Sequence, residues 1–134
     1  MRAAVLSSLA DVLERQGDIP QAIIQQRRSL AIQEQLPYPA DLAISQNNLA
    51  NYLERSGTPS ALAESSFHRL ADLIYTLVAG LGESLKTSLG NYAIAFRSAR
   101  AAGSVLAVPC VEELLANPAF ATAGAAPGRG PLAG

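Results

Sequence analysis

The chain of 134 residues is long enough for one domain with an ordinary hydrophobic core and short for two. Hydrophobic residues make up 49% of it, but aromatic residues are only 5%, so Ala, Leu, Ile and Val must form the core, which favours close-packed helices. Ten basic and eleven acidic residues give a net charge of −1, without the basic excess that a general nucleic-acid or anionic-membrane binder needs. A single cysteine, Cys110, excludes an internal disulfide framework, and a single histidine, His68, excludes sites built on several histidines.

No segment has the length and apolarity of a membrane span. The apolar stretch from Leu73 to Leu81 is short and is interrupted at Gly80. The N-terminus begins with an apolar run, but Asp11 and Glu14 arrive too early for a signal peptide. We therefore expect a cytoplasmic protein that does not bind membranes.

The first half of the chain predicts helices separated by glycine and proline. A first helix runs from Ala3 to Gln16, and Gly17 follows as a left-handed C-terminal cap. Asp18 is then an N-cap, with Pro20 in the first turn of a second helix that runs to about Leu36. The pattern predicts an antiparallel helix pair.

A second pair is predicted after Pro37–Pro39, which prevents the second helix from continuing. The third helix begins at Asp41 and stops at Gly57, and Thr58-Pro59 repeats the cap-and-proline start of a fourth helix that ends near Ala79. Apolar residues of the fourth helix follow a 4-3-4-3 spacing, which predicts one buried face. These residues are Ala63, Phe67, Leu70, Ile74 and Leu77.

The remaining elements are a third pair and a tail. Gly80–Gly82 is a helix-to-helix turn, because no lysine follows it and no strand precedes it as a phosphate loop requires. A fifth helix runs from Glu83 to Ala101, and a short sixth helix is predicted over 109–116. One face of the fifth helix carries Leu85, Leu89, Tyr92, Phe96 and Ala99. Residues 118–134 are rich in Ala, Gly and Pro with one charge, which predicts a disordered tail.

Self-comparison reveals an internal repeat. Residues 9–17 read LADVLERQG and residues 49–57 read LANYLERSG, so six of nine positions match at an offset of 40 residues, including the turn glycine. A weaker third copy at an offset of 43 aligns Asn48 with Asn91 and Leu53 with Phe96, and its turn glycine moves to Gly103. The repeat predicts a helical domain over residues 1–117, with units of about 2–40, 41–82 and 83–117.

These paired helices resemble tetratricopeptide repeats, in the long kinesin-light-chain-like variety that is common in bacterial signalling proteins. The matching residues are Leu9, Ala10, Gly17 and Ala22 in the first unit, Leu49, Ala50, Tyr52, Gly57 and Phe67 in the second, and Tyr92, Ala93 and Phe96 in the third. The resemblance implies an all-α fold in which antiparallel helix pairs stack as a short right-handed solenoid. It also implies a protein-binding scaffold whose first helices line a concave face.

The residues with catalytic chemistry form no constellation that indicates an enzyme. Glu64, His68 and Asp72 share one helix face at i, i+4 and i+8, which is the spacing of a surface ion-pair ladder. Cys110 follows a proline near a helix start, where a buried structural thiol is the alternative to a reactive one. We expect no enzymatic activity, no cofactor and no metal.

Asparagine and arginine side chains on the first helices are the candidate binding residues. An asparagine amide offers one donor group and one acceptor to the backbone of an extended peptide, and arginine can hold acidic side chains of a ligand. The candidates for a peptide-binding groove are Asn47, Asn48, Asn51, Arg55, Asn91 and Arg97. The alternative is that Asn47 and Asn51 are solvated while Asn48 bonds within the fold.

The ends of the predicted stack suggest a second role. The first helix begins near Met1 without a polar cap, although solenoids need polar surfaces at their ends. Apolar faces are expected from Val5, Leu9 and Val12 at one end and from Leu106, Val111 and Leu115 at the other. The alternative function is therefore a structural or terminal repeat fragment of a larger signalling protein, which acts by stacking or by self-association into a homo-oligomer.

Overall fold

The computed structural model describes residues 2–35 and 38–104, together with Val108, Glu113 and Ala116. Those residues contain five α-helices and no strand, so the all-helical prediction is confirmed for them. The helices are α1 (Ala3–Arg15), α2 (Ile19–Gln33), α3 (Pro39–Ser56), α4 (Pro59–Val78) and α5 (Gly82–Ala101). The predicted tail, Cys110, Leu106, Val111, Leu115 and nearly all of the predicted sixth helix lie outside the described residues.

The helix starts follow the predicted capping chemistry. The carboxylate of Asp18 accepts a hydrogen bond from the Gln21 backbone N–H at 3.3 Å, and the Thr58 hydroxyl accepts one from Ala61 at 3.2 Å. Helix α3 begins at Pro39, earlier than the predicted Asp41, because proline fits the first turn of a helix, where its missing N–H has no partner to lose.

Glycine ends the first and last described helices in the same way. Gly17 has φ +86° and Gly103 has φ +83°, a left-handed conformation that glycine adopts without steric cost. At the end of α5, the Ser104 N–H donates to the Ala99 carbonyl at 3.0 Å, which completes a Schellman cap. Gly103, the displaced turn glycine of the third repeat, is therefore a helix cap. It lies three residues, or nearly one helical turn, beyond the position that the repeat predicts.

Each helix packs along the helix that follows it in the chain. Side chains also connect alternate helices: Glu14 of α1 pairs with Arg55 of α3, and Glu64 of α4 forms a bidentate pair with Arg27 of α2. Consecutive helices are thus neighbours, and alternate helices approach each other closely enough for ion pairs.

One apolar cluster joins α2, α3 and α4 through Leu30, Leu42, Leu49, Leu53 and Ala61. A second lies between α4 and α5. It consists of the buried residues Leu73, Leu85, Leu89, Tyr92 and Phe96. Leu70, Leu77, Ala93 and Val108 pack against it. The predicted buried face of α5 is confirmed in full, since Ala99 is buried as well.

The predicted buried face of α4 is wrong in two of its five positions. Phe67 is 56% exposed and Ile74 is 43% exposed, whereas Leu70 and Leu77 contact the apolar cluster between α4 and α5. Helix α4 also buries polar side chains: Ser65, Ser66, His68, Arg69, Asp72 and Thr76. Of these, His68 and Arg69 bond to α3, whereas the Thr76 hydroxyl lies 3.4 Å from that of Ser88 on α5. These polar residues can be buried because most of them find hydrogen-bond partners, which offsets the cost of removing them from water.

None of the described helices combines the length and the apolarity that crossing a membrane requires.

Candidate ligand-binding cleft

An open cleft of about 430 Å³ lies between α1 and α3, the first helices of the first two repeats. Helix α1 contributes Asp11 and Glu14, and helix α3 contributes Asn48, Asn51, Tyr52, Glu54 and Arg55. The sequence repeat explains this arrangement, because positions 14 and 54 are the same glutamate of the repeated segment. Three of the six predicted binding residues therefore line one cleft: Asn48, Asn51 and Arg55.

The cleft is crossed by an ion pair between Glu14 and Arg55. The Arg55 side chain is about half exposed, and the Glu14 side chain is largely covered. Arg55 already has an anionic partner, and Asp11 and Glu54 of the lining are paired with Arg15 and Arg69. The cleft therefore has no unpaired arginine in its lining for the acidic ligand that the sequence suggested.

Tyr52 forms part of the cleft wall and packs against small residues behind it. It is buried together with Ala10 of α1 and Ala22 of α2, so the alanines let the three helices approach one another. Burial, reinforced by the nearby Asp11 carboxylate, raises the pKa of the Tyr52 phenol. Tyr52 is therefore a neutral hydroxyl at physiological pH.

Arg69 of α4 supports the cleft from behind, and the sequence reasoning missed this role. Its guanidinium donates to Asn51 Oδ1 at 2.6 Å, to both carboxylate oxygens of Glu54 at 2.9 and 3.0 Å, and to Asn47 Oδ1. The arginine side chain is only 6% exposed. A signal was present: Ser65, Arg69 and Asp72 recur at 4-3 spacing, which places a polar stripe along α4.

The predicted asparagines therefore differ in their surroundings. Asn47 and Asn51 each accept a hydrogen bond from Arg69, whereas Asn48 has no side-chain partner among the described residues. This is the reverse of the alternative stated above, in which Asn47 and Asn51 are solvated and Asn48 bonds within the fold. Asn47 does not line the cleft. Asn91 and Arg97 lie on α5, outside this cleft; Asn91 is half-buried and Arg97 is exposed.

The expected surface ladder of Glu64, His68 and Asp72 is wrong, because His68 and Asp72 are buried. The His68 ring places Nδ1 2.5 Å from Gln46 Oε1 and Nε2 3.3 Å from Glu64 Oε2. Burial lowers the pKa of His68, although the Glu64 carboxylate acts in the opposite direction. His68 thus links Gln46 of α3 with α4, and burial favours the neutral form of its ring.

The two carboxyl groups beside this histidine are shifted in opposite directions. The Arg27 guanidinium holds the pKa of Glu64 below its usual value. Burial raises the pKa of Asp72, and hydrogen bonds from the hydroxyls of Ser88 and Thr76 partly oppose that rise. Across residues 2–35 and 38–104, no three His, Cys, Asp or Glu side chains are grouped as a metal site would require.

No protein-family model, curated protein or solved structure matches the chain. The functional argument therefore rests on the geometry of the cleft.

Proposed function

We propose that the protein is a peptide-binding module that captures an extended segment of a partner in the cleft between α1 and α3. The observation that carries this proposal is the cleft itself, which is open and polar and is lined by Asn48, Asn51 and Arg55 of α3. It lies between α1 and α3, which carry the two copies of the repeated segment. Amide side chains on such a surface can pair with a peptide main chain of any sequence. Binding is non-covalent, without a cofactor or a catalytic step.

The proposed architecture is a short, right-handed stack of tetratricopeptide-like helix pairs. Three features support it: the 40-residue repeat, the packing of each helix on the next, and the ion pairs that join α1 to α3 and α2 to α4. In such a stack the first helices share one face. Asn91 and Arg97 of α5 would then extend the binding surface for a longer ligand, and their contribution stays a prediction.

The test begins with a random peptide library displayed on phage and selected against the full chain. The best peptide is then titrated calorimetrically against the wild type and against the Asn48→Ala/Asn51→Ala double variant. Each lost hydrogen bond costs about 0.5–1.5 kcal/mol, so the double variant is expected to bind roughly ten- to a hundredfold more weakly.

Lys86→Ala is the matched control, because Lys86 is an exposed polar residue on α5 outside the cleft. It is expected to bind the peptide like the wild type. An unchanged affinity of the double variant, with intact helicity by circular dichroism, would place the binding surface elsewhere.

A second function, stacking or self-association, is favoured by one observation at the N-terminal end. Val5, Leu9 and Val12 lie on one face of α1 and are 52%, 41% and 46% exposed. An apolar stripe of this kind on a helix surface is typical of a contact with another protein. Analytical ultracentrifugation tests it: self-association that Leu9→Lys abolishes supports this function, and a monomer at high concentration contradicts it.

A further inference from the structure

The hydrogen bonds of Arg69 determine which end of the Asn51 amide can meet a ligand. A guanidinium group has five N–H donors and no acceptor. The atom that Asn51 turns toward Arg69, at 2.6 Å from its Nη2, must therefore be the amide oxygen. The amide NH₂ group is the part of Asn51 that is left to bind a ligand, and Asn51 itself is exposed and lines the cleft.

Arg69 is itself held in place, so it restrains the orientation of the Asn51 amide. It is buried, and it also binds Glu54, a cleft residue about one helical turn further along α3, through two charged hydrogen bonds. Rotating the Asn51 amide by half a turn would place NH₂ against N–H and would leave a charged donor without its acceptor, which disfavours the rotated amide. The hydrogen-bond polarity of this position is therefore fixed by the fold before a ligand arrives.

The charge of the lining narrows the ligand group further. Asp11, Glu14 and Glu54 surround the cleft, and Arg55 is engaged by Glu14. Asp11 and Glu54 are paired in turn with Arg15 and Arg69, so a carboxylate entering this cleft would find no unpaired arginine in the lining. An uncharged carbonyl oxygen needs only a hydrogen-bond donor, which the Asn51 NH₂ group supplies.

We propose that Arg69 is a positioning residue that makes Asn51 an obligate hydrogen-bond donor, so that the cleft recognises a main-chain carbonyl of an extended peptide. This inference rests on the proposed peptide-binding function and adds the chemistry of the recognised group. It makes Arg69, which does not line the cleft, a determinant of ligand specificity.

Asn51→Asp tests the polarity of the position, because aspartate keeps the oxygen that Arg69 binds and removes the NH₂ group that faces the ligand. The probe is the library-selected peptide with an acetylated N-terminus and an amidated C-terminus, so that its terminal charges are absent. The variant is expected to bind it at least tenfold more weakly, while its thermal unfolding temperature stays at or above that of the wild type.

Asn47→Asp is the matched control. Asn47 also accepts a hydrogen bond from Arg69, but it does not line the cleft, so the same charge change there is expected to alter affinity by less than about twofold. Arg69→Lys keeps a cation near Glu54 but loses the planar fork, and it is expected to weaken binding about two- to tenfold because the Asn51 amide is free to rotate.

The outcomes separate this inference from the proposed function. If Asn51→Asp binds as well as or better than the wild type while Asn48→Ala/Asn51→Ala binds poorly, the cleft is the site but it does not demand a donor, and the inference is overturned. Equal losses in Asn51→Asp and Asn47→Asp would also overturn it, because the effect would then come from disturbing Arg69. Full affinity in every cleft variant would overturn the proposed function as well.

Discussion

Helix α4 meets its two neighbours with different chemistry. Toward α5 it contributes Leu73 to an apolar cluster with Leu89, Tyr92 and Phe96. Toward α3 it adds Ala61 to a second apolar cluster, but it also presents Arg69 and His68, which hydrogen-bond to amide and carboxylate groups of that helix. The apolar side stabilises the fold without directional demands, whereas the polar side requires particular atoms to face one another. The polar side is also the one that backs the cleft, so the most directional packing lies where a binding site needs fixed side chains.

The largest expected effect comes from removing volume from the apolar side. Leu73 is 0% exposed, and Leu73→Ala is expected to lower the free energy of unfolding by about 2–5 kcal/mol because it leaves a cavity. Urea-induced unfolding followed by circular dichroism measures it.

Ile94→Ala is the control for that change, because Ile94 lies on α5 with 66% of its surface exposed. Its effect is expected to stay within about 0.5 kcal/mol. Equal effects of the two substitutions would contradict the burial of Leu73 in the apolar cluster between α4 and α5.

A smaller effect is expected on the polar side. Arg69→Met removes the hydrogen bonds to Glu54, Asn47 and Asn51 and is expected to cost about 2 kcal/mol. The cost stays below that of breaking a fully buried ion pair because the Glu54 side chain is 31% exposed and regains water.

Arg15→Met gives the matched surface value. Arg15 pairs with Asp11 at 2.8 Å, and its side chain is 73% exposed, so its removal is expected to change stability by less than about 0.5 kcal/mol. If Arg69→Met is equally neutral, the polar interface does not hold α3 and α4 together.

The helices were predictable because glycine and proline mark their boundaries locally. The buried face of α4 was not, because this helix carries two stripes with the same spacing. Phe67, Leu70 and Ile74 follow a 3-4 pattern, and so do Arg69, Asp72 and Thr76 on another side of the helix. Periodicity detects both stripes equally, and only the partners on α3 and α5 decide which one is buried.

The candidate site was predictable only in part for a related reason. The sequence repeat placed Asn48, Asn51 and Arg55 on the first helix of the second unit, the family resemblance implied that such helices line a binding face, and the cleft contains all three. It could not show that Arg55 would pair with Glu14, or that Arg69 would approach Asn51 from a residue 18 positions away. Contacts between separate helices depend on tertiary packing, which local spacing does not encode.

The histidine on the polar side makes its contribution to stability pH-dependent. Because burial lowers the pKa of His68 in the folded state, the unfolded chain binds the proton more readily, and stability falls as the pH drops below 6.5. Glu64 acts in a separate window, since its lowered pKa means that its contribution is lost only below about pH 4.5.

Unfolding at pH 7.5 and pH 5.5 tests this expectation in the wild type and in His68→Gln. The charged groups that act on the His68 ring are Glu64, Arg27 and Glu34, and both the wild type and His68→Gln keep them. The wild type is expected to lose more stability on acidification than the variant. An equal loss in both proteins would show that His68 does not titrate in this window.

The smallest expected effect is the ion pair that crosses the cleft. A double-mutant cycle with Glu14→Gln and Arg55→Met is expected to give a coupling energy of about 0.5 kcal/mol, because the Arg55 side chain is 53% exposed. The coupling should shrink further in 0.5 M salt, since ions screen exposed charges.

The corresponding cycle for Arg69 and Glu54 is expected to give about 1.5 kcal/mol or more, with little dependence on salt. A pair as weak as Glu14–Arg55 can be parted by an entering peptide at little cost, whereas the Arg69 contacts persist and keep the asparagine amide in place. If the cross-cleft coupling instead equals that of Arg69, the cleft is closed by the pair, and binding would have to begin by breaking it.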